Sequence, residues 1–227
     1  GAALGEGLGN KFLSHIREVD AIIQVIRCFE DEDIHHVAGS IDPIRDIETI
    51  MTELVLADME SVQKSLDRRA KDAKKGDKTA KAEHAVLSKV LPHLNDGKPA
   101  LTLELNPEEA AILKPFFLLT AKPTIFAANV KESELVDAAN NPHVAKVKNY
   151  AQEHHACETV VISAQIESDL VDLAPDEASD FLSEMGVSES GVGSMIRSTY
   201  HLLGLRTYFT AGEVEVRAWT IHEGDRA

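Results

Sequence analysis

Two short stretches pair ligand-holding residue types with places where ligands are held: Asn129-Val-Lys-Glu132 and Ser163-Ala-Gln165. Each closes a β-branched apolar run, and their first residues lie 34 positions apart. In an open α/β sheet, ligands bind beyond the carboxyl ends of the strands, which is where both stretches fall. The bland alternative makes Asn129 a loop cap and Glu132 a solvated carboxylate; it loses ground only because Ser163 stands at the matching place.

Other constellations carry less. Gly5-x-Gly7-x-Gly9 has the outline of a dinucleotide fingerprint, but no strand precedes it. The pairs His35-His36 and His154-His155 lack the i, i+4 spacing and the carboxylate partners of a zinc site. Ser163, His155 and Asp169 have triad residue types without the glycines of a nucleophile elbow. Cys28 and Cys157 form no CxxC pair or His/Cys cluster, so neither a disulfide framework nor a metal site is expected, and a reducing cytoplasm is the natural setting.

The elements that must position the two stretches follow from periodicity. Residues 22–29, 123–130 and 158–164 are short apolar runs of the buried parallel-strand type, with helices expected over 10–18, 141–154 and 175–185. Strands alternating with helices predict an α/β sheet covered by helices. Between the first two runs the pattern becomes helical. Apolar residues recur at Ile44, Ile47, Met51, Leu54, Val55, Val62 and Leu66, with Asp42-Pro43 as N-cap and first helical residue. Lys74-Lys75-Gly76-Asp77-Lys78 interrupts this helix, and Ala82, Val86, Val90 and Leu94 resume it, which predicts a helical hairpin. A short helix from Pro107 to Leu113, capped by Asn106, returns the chain to the sheet. Thr207–Gly212 and Glu213–Ile221 alternate as strands with a turn at Ala211-Gly212, and Trp219 reads as a core residue of this β-rich piece.

The composition is that of a folded acidic protein: 227 residues, 44% hydrophobic, formal charge −15. No apolar stretch approaches the roughly 20 residues of a membrane span, and the amino terminus lacks signal-peptide character. Charge is uneven. Between Lys64 and Lys89 there are nine Lys and Arg against four Asp and Glu, a net of +5 that leaves −20 on the remainder. A basic hairpin end on an acidic body can address a phosphate backbone without the body adhering. The candidates for that contact are Arg68, Arg69, Lys71, Lys74, Lys75 and Lys78; a merely solvated end is the simpler reading of the charge alone.

Asn129-Val-Lys-Glu132 and Ser163-Ala-Gln165 together resemble the base-recognition loops of G-domain P-loop nucleoside triphosphatases. In that pattern the Asn braces the neighbouring loop and reaches the base edge, backbone N–H groups of the Ser-Ala loop face the purine, a Lys follows the Asn and an Asp stands fourth; here the last two are Val130 and Glu132. Guanine offers N1–H and N2–H₂ to the Asp, and a longer Glu cannot make the same short bidentate contact, whereas adenine has no such donor pair to lose. ATP is therefore expected over GTP.

Longer motifs narrow the resemblance. Gly5-Glu-Gly-Leu-Gly-Asn-Lys-Phe-Leu-Ser-His-Ile-Arg17, Val25-Ile-Arg-Cys-Phe-Glu30, His36-Val-Ala-Gly-Ser40, Asp42-Pro-Ile-Arg-Asp-Ile-Glu48, Tyr208-Phe-Thr-Ala-Gly212 and Glu215-Val-Arg-Ala-Trp-Thr-Ile221 are similar to the YchF/Obg-like ATPase family. The resemblance implies a partial P-loop G domain with an inserted antiparallel helical hairpin and the start of a β-rich TGS domain. By the same resemblance residues 1–43 are the G domain from switch II onward, 44–117 the hairpin, 118–203 the base-recognition half and 204–227 the beginning of TGS. It places Asn129, Val130 and Glu132 at the base, Ser163, Ala164 and Gln165 on the neighbouring loop, Phe29 as an apolar wall, and Gly5, Gly7 and Gly9 in switch II. It further implies hydrolysis of ATP, preferred over GTP, with Mg²⁺. The implied partner is the ribosome, at the large subunit or the subunit interface, with ribosomal RNA met by the hairpin. The protein is expected to be a cytoplasmic monomer with roles in translation and stress. A non-catalytic ribosome- or RNA-binding module is the alternative. The family's phosphate loop, switch I magnesium ligand and Asp-x-x-Gly have no counterpart in this sequence. It is accordingly expected to be truncated at both ends, to hold no metal and not to hydrolyse ATP alone.

Overall fold

The computed structural model describes residues 8–31, 40–154, 158–222 and 224–225. The chain divides into two compact units, residues 1–22 with 45–123 and residues 23–44 with 124–227.

The first unit is helical: α1 (Leu8–Glu18), most of α2 (Pro43–Lys74), α3 (Lys78–Asn95) and the short α4 (Pro107–Leu113). Helices α2 and α3 are joined by only three residues, and Gly76 makes the reversal possible with φ +99°, a conformation that disfavours side-chain-bearing residues. Asp77 then caps α3, its carboxylate accepting from the N–H groups of Thr79 at 2.8 Å and Ala80 at 3.1 Å. The two helices are joined by one apolar seam. Val55, Val62 and Leu66 from α2 bury against Val86, Leu87, Val90 and Leu94 from α3, with Leu113 of α4 in the same cluster. Of the α3 positions expected in that seam, Ala82 is exposed, and Ala80 is buried instead. Arg69 reaches across to Glu83 at 2.5 Å, so this guanidinium links the helices. Helix α4 starts with a reciprocal capping box: Glu109 N–H donates to Asn106 at 2.9 Å, and Asn106 N–H donates to the Glu109 carboxylate at 3.2 Å.

Two polar residues of this apolar unit, Asp58 and Thr120, are buried together. Asp58 of α2 is 0% exposed, and its carboxylate accepts from Leu119 N–H at 2.9 Å, Thr120 N–H at 2.7 Å and Thr120 Oγ1–H at 2.7 Å. Arg17 of α1 adds a longer contact at 3.4 Å.

The second unit is built on three strands, β1 (Ile22–Arg27), β2 (Thr124–Asn129) and β3 (Thr159–Ile162), with β2 in the centre. Strands β2 and β3 run parallel, Phe126 opposite Thr159 through Asn129 opposite Ile162. Strand β1 runs the same way: Ile22 N–H donates to Pro123 and Cys28 N–H to Asn129, so both partners advance together. Ile125, Phe126, Ala127 and Ala128 are all buried, as a central parallel strand requires. The alternation sorts them. Ile125 and Ala127 join Val160 and Ile162 against Met195 and Leu202, whereas Phe126 meets Tyr150 edge-on at 6.2 Å. These partners belong to α8 (Gly191–Leu202) and α5 (Pro142–Glu153), with α6 (Ala164–Leu170) and α7 (Pro175–Glu184) between them in sequence.

Three expectations are corrected. The 22–29 run is not buried on both faces: Ile23 is 38% and Val25 59% exposed, because β1 is an edge strand among the described residues. Strands β4 (Leu205–Ala211) and β5 (Val216–His222) form the expected antiparallel hairpin, but the connection is longer, closed by Gly212 N–H to the carbonyl of Glu215 at 2.9 Å. Trp219 is not a core residue. It is 42% exposed, opposite Tyr208, with its indole N–H on Thr210 at 2.8 Å and the Arg217 guanidinium 5.8 Å from its ring. No helix of the described residues is long and apolar enough to cross a membrane.

Candidate functional site

The carboxyl ends of β2 and β3 are joined by a side chain. Asn129 Oδ1 accepts the backbone N–H of Ala164 at 2.9 Å, and Val130 N–H donates to the carbonyl of Ile162 at 2.9 Å. The end of β2 is therefore fixed to the end of β3 and to the first residue of α6. Next to these bonds lies a cavity of about 850 Å³, lined by Phe29, Asn129, Val130, Glu132, Ala164 and Gln165 among others. Six of the seven residues expected around a base thus share one cavity.

Ser163 is the exception. It is buried and is not among the lining residues, and its Oγ has no hydrogen-bond partner among the described atoms. The Ala164 N–H, expected to face the base, is engaged by Asn129, so this amide is part of the brace. Residues that the sequence reading missed, Asp31, Lys131, Ser133 and Met185, complete the lining. Lys131 carried no usable signal, since the Lys of the motif directly follows the Asn, where Val130 stands; its ammonium faces the Asp31 carboxylate at 3.6 Å.

Phe29 is held from behind. Arg27 places its guanidinium 4.8 Å from the Phe29 ring centre, donates through Nε to the Phe29 carbonyl at 3.1 Å and through Nη2 to the Asp31 carbonyl at 3.2 Å. Glu132 lies on an exposed helical turn at the cavity, where its carboxylate stays solvated. Gln165 donates to Asp169 at 3.0 Å, one turn along α6.

Cys28, under this loop, is buried. Burial, helped by the nearby Glu134 charge, pushes its thiol up to about 12.

Gly9 lies in α1, while Gly5 and Gly7 fall outside the described residues, as do His35, His36, His155 and Cys157. His154 stacks on Tyr150 with ring centres 4.0 Å apart. Among the described residues no group of three or more His, Cys, Asp and Glu could hold a metal ion.

A cavity at the carboxyl edge of a parallel sheet, with an Asn joining the ends of two adjacent strands, is the place where open α/β nucleotide-binding folds hold their ligands. The comparisons narrow this class. No family model matches the chain. Over all 227 residues it is 51% identical to a protein of Bacillus subtilis named ribosome-binding ATPase YchF and covers 62% of it. Relatives of the same name in Haemophilus ducreyi and Escherichia coli O157:H7 are 48% and 46% identical, each 61% covered by the whole of this chain. The solved structure of the Schizosaccharomyces pombe YchF GTPase superposes with a TM-score of 0.83 at 36% identity, over 100% of this chain and 61% of that one. Over its whole length the chain is similar to members of the YchF/Obg-like family, and it spans about three fifths of the length of these relatives.

Proposed function

We propose that this chain carries the base-binding part of a ribosome-associated nucleoside triphosphate hydrolase that uses ATP in preference to GTP. The observation that carries the reading is the Asn129–Ala164 hydrogen bond beside the Phe29 cavity, because it joins the loops of two adjacent strands around a space a planar base fills. Phe29 supplies an apolar wall, and Val130 and Ala164 supply small apolar surface. Glu132 sets the preference: its carboxylate sits one methylene farther from the backbone than an Asp would, out of register with the paired donors of guanine.

The names of the relatives differ on the nucleotide, ATPase in the bacterial proteins and GTPase in the yeast structure, so the preference rests on Glu132. Hydrolysis is assigned to the full-length protein. There water would attack the γ-phosphate, and Mg²⁺, with ligands expected upstream of these residues, would supply charge neutralisation. Residues 44–117 form the helical insertion of that protein and 204–227 the start of its TGS domain. The basic end of α2 and α3 meets ribosomal RNA, and the molecule works as a cytoplasmic monomer in translation and stress.

Competition titration of full-length protein with ATP and GTP tests the reading. ATP is expected to bind at least about tenfold more tightly, and Glu132→Asp to narrow the ratio; a single hydrogen-bonded pair is worth a change of that order. Equal competition by the two nucleotides in the wild type would sink the preference.

A second reading, a non-catalytic RNA-binding module, is favoured by one observation: Arg68, Lys71, Lys74, Lys75 and Lys78 are exposed around the α2–α3 connection. Measured ATP turnover by the full-length protein would exclude it.

A further inference from the structure

Asn141 lies outside the cavity lining, yet its side chain uses all of its hydrogen-bonding capacity, half of it on the segments next to Phe29 and Glu132. Oδ1 accepts from the N–H groups of His143 at 2.8 Å and Val144 at 3.2 Å, capping α5. Nδ2 donates to the Cys28 carbonyl at 3.0 Å and to the Glu134 carboxylate at 3.2 Å. The orientation of this amide is unambiguous, since only an oxygen can accept the α5 amides and only an NH₂ can serve two acceptors.

The bonds form a relay beneath the cavity. Cys28 precedes Phe29, and its own N–H donates to the carbonyl of Asn129 at 2.8 Å. Asn129 in turn holds Ala164. Asn141 thus fixes the far side of the peptide that carries the apolar wall, and through Glu134 the turn that carries Glu132. Cys28 is buried, so its carbonyl has no ready substitute for this donor.

We propose that Asn141 is a positioning residue for the base cavity, holding Phe29 and the 132–134 turn at the separation a base requires. The inference rests on the cavity being the base site. Its distinguishing consequence is that loss of the Nδ2 donors weakens recognition of the base and leaves the phosphates untouched.

The test compares two probes on the full-length protein by calorimetric titration with magnesium present: ATP, and inorganic tripolyphosphate, which has the phosphate chain without the base. Asn141→Ser keeps a hydroxyl that caps α5 but cannot reach Cys28 or Glu134, and Asn141→Asp keeps the capping oxygen while removing the donor. Either variant is expected to weaken ATP roughly tenfold, the size of one to two lost hydrogen bonds, with tripolyphosphate binding unchanged within about twofold. Equal weakening of both probes would show a general structural role and overturn the proposal. Unchanged ATP binding, with Asn129→Ala weakened, would overturn it while leaving the base site standing. If Asn129→Ala and Phe29→Ala both bind ATP as the wild type does, the base-site reading falls, and the proposal with it.

Discussion

At the scale of single residues, chemistry was legible where the partner lay in a local pattern. Asn129 and the 163–165 loop could be paired because both end apolar runs, and the structure joins them through Ala164. Asp58 was invisible by the same logic. In an amphipathic helix an Asp reads as solvated, and its acceptors' partners, Leu119 and Thr120, lie 61 and 62 residues away. Its burial makes it the most exacting polar group of the helical unit. Asp58→Ala leaves two buried backbone donors and the Thr120 hydroxyl without their acceptor, at roughly 1–3 kcal/mol for each unsatisfied group before any relaxation. Chemical denaturation is expected to show a loss of at least about 3 kcal/mol. Asp58→Asn, which keeps one acceptor oxygen but turns an NH₂ towards amides, is expected to recover only part of it. A change below about 0.5 kcal/mol in Asp58→Ala would mean that water replaces the carboxylate.

At the scale of elements, the long helices, the parallel strands and the capped α4 followed from spacing and end signals alone. Helices α6 and α8 did not. The start of α8, Gly191-Val-Gly193-Ser, has two residues with weak helix propensity, so local reasoning leaves it as loop. The physical reason for Gly191 is tertiary: a Cβ there would stand 2.7 Å from Ile162 Cγ2 and 3.0 Å from the Ile162 Cα, the latter backbone that cannot swing aside. Close approach of α8 to β3 overrides propensity, with Ser190 capping through Gly193 N–H at 2.9 Å and Glu167 accepting from Gly191 N–H at 2.6 Å. Gly191→Ala should therefore destabilise, by about 1–3 kcal/mol, although Ala is the better helix former. Gly193→Ala meets only the Ser190 hydroxyl, at 3.2 Å, and is expected to be far milder. Thermal melts of the two variants side by side check the ordering; a stabilised Gly191→Ala would refute the close-packing argument.

At the scale of the whole molecule, charge is the property that sequence reports most directly, and structure decides which charges are available. The net +5 between Lys64 and Lys89 stands against −20 elsewhere, a division that favours one basic surface and discourages general adhesion to nucleic acid. Arg69 must be set apart, because its guanidinium faces Glu83 of the neighbouring helix, and Lys75 is paired with Asp72 at 3.3 Å. Arg68, Lys71, Lys74 and Lys78 are the exposed cations to reverse. If they neutralise RNA phosphates, each contact releases counterions, and the slope of log K against log salt falls by about 0.7–0.9 per contact. Replacing all four by Glu is expected to weaken sedimentation of the full-length protein with ribosomes and to flatten its salt dependence by roughly 3 in slope. Arg69→Glu serves as the contrast: it puts two carboxylates together between α2 and α3, so its effect should appear in thermal stability before it appears in the salt slope. Association that keeps both its strength and its slope after the fourfold reversal would remove these cations from the interface, and the acidic remainder would then have to meet a basic protein surface instead.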